Sequence, residues 1–230
     1  MVLKDRLDHL RGIVKTEKKV KVTELSQRFD VTEETIRRDL ERLELEGLIT
    51  RTHGGAVLKV ENMFDRLGYT HRSRTNVEEK KKIAQIVASI IPMQATLFAD
   101  ASSTVMEALT LMADRDDITV LTNSIPVLSS LNQSGLNIMS TGGANNRVSC
   151  SLQGIIARTT IMNYHVDFVL TSCKGLKLDE GAYDSREGET EIKQLMISRG
   201  QKTIMMADHT KFDRTSFVKY CSFQQIDILV

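Results

Sequence analysis

A chain of 230 residues with 41% apolar and 27% charged residues has room for one large or two smaller globular domains and lies far from a disordered composition. Its 31 basic residues against 30 acidic ones, a formal charge of +1, exclude a whole-chain electrostatic attraction to nucleic acid or to an acidic membrane and leave that work to local basic surfaces. Cys150, Cys173 and Cys221 are widely spaced and odd in number, against a disulfide framework or a structural zinc site and in favour of a reducing, cytoplasmic location. The five histidines show no ligand spacing, so neither a metal nor a cofactor is expected. The charged start MVLKDRLDHLRG predicts no signal peptide, and Gln85, Ser89, Pro92 and Gln94 interrupt the most apolar stretch, so no membrane span is expected.

From Val2 to Val57 the pattern is helical, charged and short-looped. Leu3, Leu7, Leu10 and Val14 recur at helical spacing and predict a first helix. A short second helix follows Thr23, with Leu25 and Phe29 inward, and ends in a tight connection through Asp30 and Val31. A third runs from Thr32, a natural N-cap, to about Glu46. On its wheel Leu40 and Leu43 fall within about 40° of Ile36 and define the buried stripe; Arg38 lies about 200° away, with Arg37 and Thr35 about 100° to either side.

LITRTHGGAVL follows, with Gly54-Gly55 between two β-prone runs, and predicts a hairpin with both glycines at positive φ. Helix, tight turn, helix and hairpin together read as a winged helix-turn-helix. An arginine pair near the start of an exposed helix suits the major groove, where guanidinium forks reach guanine edges or phosphates and the free N–H groups of the helix start bind phosphate. The candidate DNA contacts are Thr32, Thr35, Arg37 and Arg38, with Arg51 and His53 of the wing facing backbone or minor groove. Lys15, Lys18, Lys19 and Lys21 form a further basic cluster between the first two helices. Charge alone does not distinguish this from a solvated helical surface, since residues 1–58 carry 12 basic and 11 acidic residues.

Residues 58–74 are polar and charged and predict a linker. From Thr75 the pattern changes to alternating strands and helices. Thr75 to Glu78 has the spacing of a capping box, opening a helix with Ile83, Val87 and Ile90 inward. Strands are predicted at Thr96–Ala99, Ile118–Leu121, Asn137–Met139, Phe168–Thr171 and Thr203–Met206, which implies an α/β domain with a largely parallel sheet. Each strand runs into polar residues: Asp100, Ser102, Ser103 and Thr104; Thr122 and Asn123; Gly142 and Gly143; Lys174; Asp208 and Lys211. Open α/β sheets bind ligands at the carboxyl ends of their strands, so the five loops point to one crevice. Small hydroxyl residues at a helix start bind phosphate, and Lys174 and Lys211 supply positive charge. Taken singly, such residues also serve as N-caps, turn glycines and solvated lysines.

The run VTEETIRRDLERLELEGLITRTHGGAV resembles the N-terminal signature of the DeoR family of bacterial transcriptional regulators, through its T-I-R-R-D-L core at Thr35–Leu40 and its H-G-G-A wing at His53–Ala56. The resemblance continues downstream. D-A-S-S-T at 100–104, T-N at 122–123, G-G at 142–143 and D-H-T-K-F at 208–212 match recurring motifs of a sensor domain related in fold to ribose-5-phosphate isomerases, and Glu189 and Lys193 fall where the family tends to carry a glutamate and a lysine. The fourth loop, S-C-K-G-L-K, departs from the family's glycine-rich stretch and has Lys177 in place of an aspartate. The family pattern also runs on beyond Val230.

The expectation is therefore a winged helix-turn-helix in residues 1–57, a linker in 58–74 and a sensor domain in 75–230. The resemblance implies a non-enzymatic, oligomeric cytoplasmic repressor of a carbohydrate operon, whose partners are operator DNA and a phosphorylated sugar. The effector contacts expected are Asp100, Ser102, Ser103, Thr104, Thr122, Asn123, Gly142, Gly143, Lys174, Glu189, Asp208 and Lys211. The alternative is a sugar-phosphate isomerase with an attached DNA-binding module, for which Asp100, Glu189 and Asp208 are candidate bases.

Overall fold

The structure, a computed structural model, describes residues 3–45, 48–58 and 68–230. Its contacts divide the chain into two units, Met1–Leu67 and Gly68–Val230.

The first unit contains α1 (Leu3–Glu17), β1 (Lys19–Lys21), α2 (Val22–Phe29), α3 (Glu33–Leu45), β2 (Ile49–Thr52) and β3 (Gly55–Leu58). Asp30 ends α2 in the left-handed region, at φ 51°, and its N–H returns to the Gln27 and Ser26 carbonyls. Thr32 then starts α3: its Oγ1 accepts from Thr35 N at 3.3 Å, a cap worth about 1 kcal/mol. Ile36, Leu40 and Leu43 are buried as expected, and they pack with Leu10, Val14, Val20, Leu25, Ile49 and Ala56. The Leu3 and Lys15 side chains lie outside the described set.

Two details differ from the sequence expectation. The lysine cluster includes a strand: Lys19–Lys21 form β1, which pairs antiparallel with β3, and β3 pairs on its other side with β2. Gly54 and Gly55 are not among the residues with positive φ. Gly55 is instead constrained by proximity, since a Cβ there would lie 2.0 Å from the Val20 carbonyl oxygen.

The second unit opens with α4 (Tyr69–Arg74) and α5 (Val77–Ile90). The linker expected over 58–74 is thus corrected at its end, where Tyr69–Arg74 form a helix; residues 59–67 lie outside the described set. The expected capping box is also absent. Thr75 closes α4, with its Oγ1 donating to His71 O at 3.0 Å, and the N-cap of α5 is Asn76, at φ 51°, without a side-chain cap. Ile83 and Val87 are buried but Ile90 is exposed, because the core-facing stripe of α5 passes through Ala84 and Ile91.

Next come β4 (Thr96–Ala99), α6 (Ser103–Leu111), β5 (Thr119–Thr122), α7 (Ile125–Ser130), β6 (Asn137–Ser140), a hairpin of β7 (Ala144–Asn146) and β8 (Ser151–Gln153), and α8 (Ile155–Met162). The chain finishes through β9 (Val166–Thr171), β10 (Gly175–Lys177), β11 (Gly181–Asp184), α9 (Glu187–Ser198), β12 (Gly200–Met205), β13 (Val218–Cys221) and β14 (Ile228–Leu229). Six strands form one sheet in the order β14-β12-β9-β4-β5-β6, every pairing parallel. The five strands expected from the sequence are all in it, with small shifts at their ends.

Alternation along each strand feeds two cores. Leu97, Ala99, Val120, Leu170 and Ile204 pack with α5 and α6 on one face; Phe98, Leu121, Val169 and Met205 pack with α8 and α9 on the other. Both faces of a parallel sheet are covered in this way, so its strands are apolar throughout. Connections from β4 run outward through β5 to β6, and those from β9 run the opposite way through β12 to β14. The order reverses between β4 and β9, which places the topological switch point, and hence the natural ligand crevice, beyond their carboxyl ends.

Candidate functional site

The DNA-binding candidates share one unit and a solvent-facing character. Arg38, expected opposite the buried stripe, is 74% exposed, and Arg37 is 47% exposed. Both are held by glutamates of their own helix: Arg37 Nη2 lies 2.6 Å from Glu33, and Arg38 Nε 3.5 Å from Glu34. Exposed i,i+4 pairs of this kind contribute only a few tenths of a kcal/mol, so a phosphate competes easily for either guanidinium. Thr32 and Thr35 are tied to each other through hydroxyls 2.9 Å apart at the helix start. Arg51 and His53 are exposed on the wing, and the Arg51 N–H donates to Glu44 Oε1 at 3.0 Å, fixing the wing to α3. Asp39, part of the T-I-R-R-D-L core but not singled out as a site residue, is 2% exposed and receives Arg6 Nε at 2.6 Å. That ion pair anchors α1 to α3.

At the switch point, Asp100 bridges the loops that follow β4 and β9. Its Oδ1 accepts from Ser102 N at 2.8 Å; its Oδ2 accepts from Thr171 Oγ1 at 2.9 Å and Ser172 N at 3.1 Å. Lys193 Nζ lies 3.2 Å from the same carboxylate and 2.6 Å from Asp184 Oδ2, and it donates to Ser172 O at 2.6 Å. Burial disfavours the Lys193 ammonium, but the Asp184 and Asp100 carboxylates outweigh it and hold its pKa well above the ordinary lysine value. Burial likewise opposes the Asp184 carboxylate, and Lys193 wins there too, holding it below the usual range. Tyr220 closes the cluster, its ring 5.2 Å from Lys193 Nζ and its hydroxyl donating to Ser172 O. Asp100 and Lys193 therefore tie together the loops that follow β4 and β9, while the buried Ser103 and Thr104 open α6.

The other candidates divide between support and rim. Thr122 is fully buried and donates to Ala99 O at 2.7 Å, a strand-to-strand tie. Asn123 donates to Leu152 O at 3.2 Å; its buried Oδ1 has no protein partner. Gly142 and Gly143 do need positive φ, at 65° and 115°, to turn the chain from β6 into the β7–β8 hairpin. Glu189 lies beneath that hairpin and accepts from Ser151 Oγ at 2.5 Å and from Gln153 Nε2. Lys174 is half-buried in the loop after β9.

Beyond β12, Asp208 caps a 3-10 turn over His209–Lys211 and accepts from Thr210 N at 2.9 Å and Asn76 Nδ2 at 3.2 Å. Burial pushes its pKa up, but Thr210, Lys211 and Asn76 together hold it below the usual carboxylate range. Lys211 is 28% exposed, lies 3.9 Å from Asp208, and is close enough to Cys173 for its charge to act on that thiol. Burial dominates at Cys173, however, and its pKa is pushed up to about 12, so it is an inert apolar residue.

Asp184, Ser151, Gln153 and Tyr220 belong to this constellation without having been read from the sequence. They sit on short strands of weak pattern, and only the fold brings them under the crevice. Glu189 and Lys193 were reached only through the family resemblance; both lie on the buried side of α9, with Thr190, Ile192, Met196 and Ile197.

Comparison with known proteins agrees with this division. Residues 6–62 match the model of the DeoR-like helix-turn-helix domain, and residues 75–230 match that of the DeoR C terminal sensor domain. Over its whole length the chain is 36% identical to the HTH-type transcriptional regulator YulB of Bacillus subtilis, covering 89% of that protein. It is 33% identical to the regulator GolR of Listeria innocua, over 98% of this chain and 89% of that one. With the HTH-type transcriptional repressor GlcR of Bacillus subtilis it shares 32% identity, over 100% of this chain and 88% of the relative.

Proposed function

Because the chain belongs to the DeoR family of transcriptional regulators, we propose that it represses a carbohydrate operon by binding operator DNA through residues 3–58 and releasing it when a phosphorylated sugar occupies the crevice of residues 68–230. On this reading α3 enters the major groove with Arg37 and Arg38, and Arg51 and His53 of the wing meet the adjacent backbone. It works in the cytoplasm as an oligomer, whose paired recognition helices match paired half-sites. The repressor GlcR is among the relatives, in keeping with the negative sign of control.

The observation that carries the effector assignment is the switch point itself. Asp100 and Lys193 hold the β4 and β9 loops together, so that the N–H groups at the start of α6 and the Lys211 ammonium stand on two strand ends of one parallel sheet. Helix-start N–H groups and a lysine suit a phosphoryl group, and the unpartnered Asn123 Oδ1 suits a sugar hydroxyl. The isomerase alternative is set aside by membership in a family of regulators. Its candidate bases are also engaged: Asp100 and Glu189 accept hydrogen bonds from neighbouring protein donors.

The test begins with selecting a duplex from a random library with the purified chain, then screening sugar phosphates by thermal shift. A true effector at about 100-fold its dissociation constant adds about 2.7 kcal/mol of stability and lowers duplex affinity. Lys211→Met removes a hydrogen bond to a charged group, so it raises the effector concentration needed for release by roughly tenfold to 150-fold. Release at the wild-type concentration makes Lys211 an ordinary surface lysine, and a screen in which no sugar phosphate raises the melting temperature refutes the effector class.

A further inference from the structure

Helix α4 is the first described element after residues 59–67, which join it to the wing strand β3. Both of its ends are held by loops of the crevice. At its start Tyr69 N donates to Val148 O at 3.1 Å and Arg72 Nη2 donates to Ser149 O at 3.4 Å. Gly68 approaches so closely that a Cβ there would sit 2.9 Å from Val148 O. Val148 and Ser149 lie in the turn of the β7–β8 hairpin, which is itself tied into the crevice: Leu152 N donates to Asn123 O at 2.8 Å, Ile125 N to Cys150 O at 3.0 Å and Ser151 Oγ to Glu189.

Beyond the other end, Asn76 Nδ2 donates to Asp208 Oδ1 and, at 3.4 Å, to Thr210 Oγ1. The buried Lys80 ammonium donates to the carbonyls of Arg72 and Thr75, pinning the last turn of α4. Within this frame Arg72 Nε is buried and has no partner. A buried guanidinium N–H left unsatisfied disfavours the arrangement it sits in and favours an alternative that supplies an acceptor. An element under such a constraint is one whose arrangement a ligand can bias.

We infer that Arg72 is the positioning residue through which occupancy of the crevice is transmitted to the DNA-binding unit, with α4 as the output element. The inference rests on the function proposed above and names how that function is regulated. A ligand that moves the β7–β8 hairpin moves the Val148 and Ser149 carbonyls, which are the acceptors for the start of α4. A ligand seated against Asp208 and Lys211 acts through Asn76 on its other end. Coupling is reciprocal, so DNA bound to residues 3–58 must in turn change the stability of the hairpin.

The experiment is hydrogen exchange on the full chain, with and without a saturating duplex selected from a random library. In the wild type the amides of residues 144–153 change their exchange by at least about fivefold when the duplex binds, the lower end of ordinary coupling between sites. Arg72→Met still binds the duplex and still protects residues 3–58, but its hairpin no longer responds. Gly68→Ala, which forces the hairpin turn away from α4, gives the same uncoupling from the opposite side and decides the matter if Arg72→Met does not fold. A purely structural role for Arg72 would lower the melting temperature and leave the exchange response intact, which overturns the inference. A wild-type hairpin unaffected by bound duplex overturns it as well, with the proposed function untouched. If no duplex binds at all, the proposed function fails and the coupling falls with it.

Discussion

Replacing Lys193 with methionine tests how the loops that follow β4 and β9 are held together. The ammonium is the shared partner of two carboxylates that are almost wholly buried, at 2.6 Å from Asp184 and 3.2 Å from Asp100, and it also satisfies the Ser172 carbonyl. Methionine keeps much of the side chain's volume and removes the charge. Asp184 and Asp100 then face each other's neighbourhood with no cation between them, and breaking a buried pair from one side costs about 3–5 kcal/mol. For a unit of this size each kcal/mol lowers the melting temperature by about 2–4 °C, so the expected loss is roughly 6–20 °C. Differential scanning calorimetry on the full chain reads this as a shift of the second unit's transition alone. The double variant Lys193→Met with Asp184→Asn melts above the Lys193→Met single variant, because removing both charges leaves less unpaired charge in the interior. If the single variant melts within about 1 °C of the wild type, or the double is worse by the sum of its parts, the charged cluster is not what joins the β4 and β9 loops.

Three further outcomes are expected. Arg38→Ala weakens duplex binding by about 1–3 kcal/mol without lowering the melting temperature, and fluorescence anisotropy against altered duplexes distinguishes loss of one base preference from a uniform loss with a flatter salt slope. Gly55→Ala destabilises the wing by about 1–3 kcal/mol, because its new methyl overlaps the Val20 carbonyl, whereas Gly54→Ala, with nothing within reach, stays within about 0.5 kcal/mol; urea titration of both separates crowding from turn strain. Burial, then the neighbouring Lys211 charge, lowers the Lys80 pKa from 10.5 to about 8. The folded protein thus loses that proton before the unfolded chain does, and stability relative to Lys80→Met rises as pH goes from about 8 to 10.5; a difference that stays flat across this window contradicts the assignment.

The local features of the first unit were legible in residue order because they arise within a few residues of each other. Thr32 as cap, the stripe of Ile36, Leu40 and Leu43, and Arg38 facing outward all follow from helical periodicity. The parallel strands β4, β5, β6, β9 and β12 were equally visible, as buried apolar runs ending in small polar residues. Short strands such as β1 and β11 were not, because three or four residues carry too little pattern to be told from a loop, and β3 and β13, with which they pair, lie far along the chain. The misreadings at Thr75 and Gly55 have different causes: Thr75 closes the helix before it instead of opening the one after it, whereas Gly55 fits a local turn motif but is set by the approach of Val20 from another strand.

Sequence by itself determined the two-part architecture, the helix that turns its arginine pair to solvent and the strand-end loops that collect polar groups, since each is set by periodicity and short-range stereochemistry. Only the tertiary structure decided which polar residues are support and which are rim. Asp100 and Glu189 are spent on internal donors, Lys193 is sealed between Asp100 and Asp184, and Arg72 stands between a helix and a hairpin turn. The physical reason is that satisfying a buried charge or N–H is a long-range matter. The partner comes from whichever strand the sheet order brings alongside, and reversal of that order between β4 and β9 is a property of the whole sheet, invisible in any single segment.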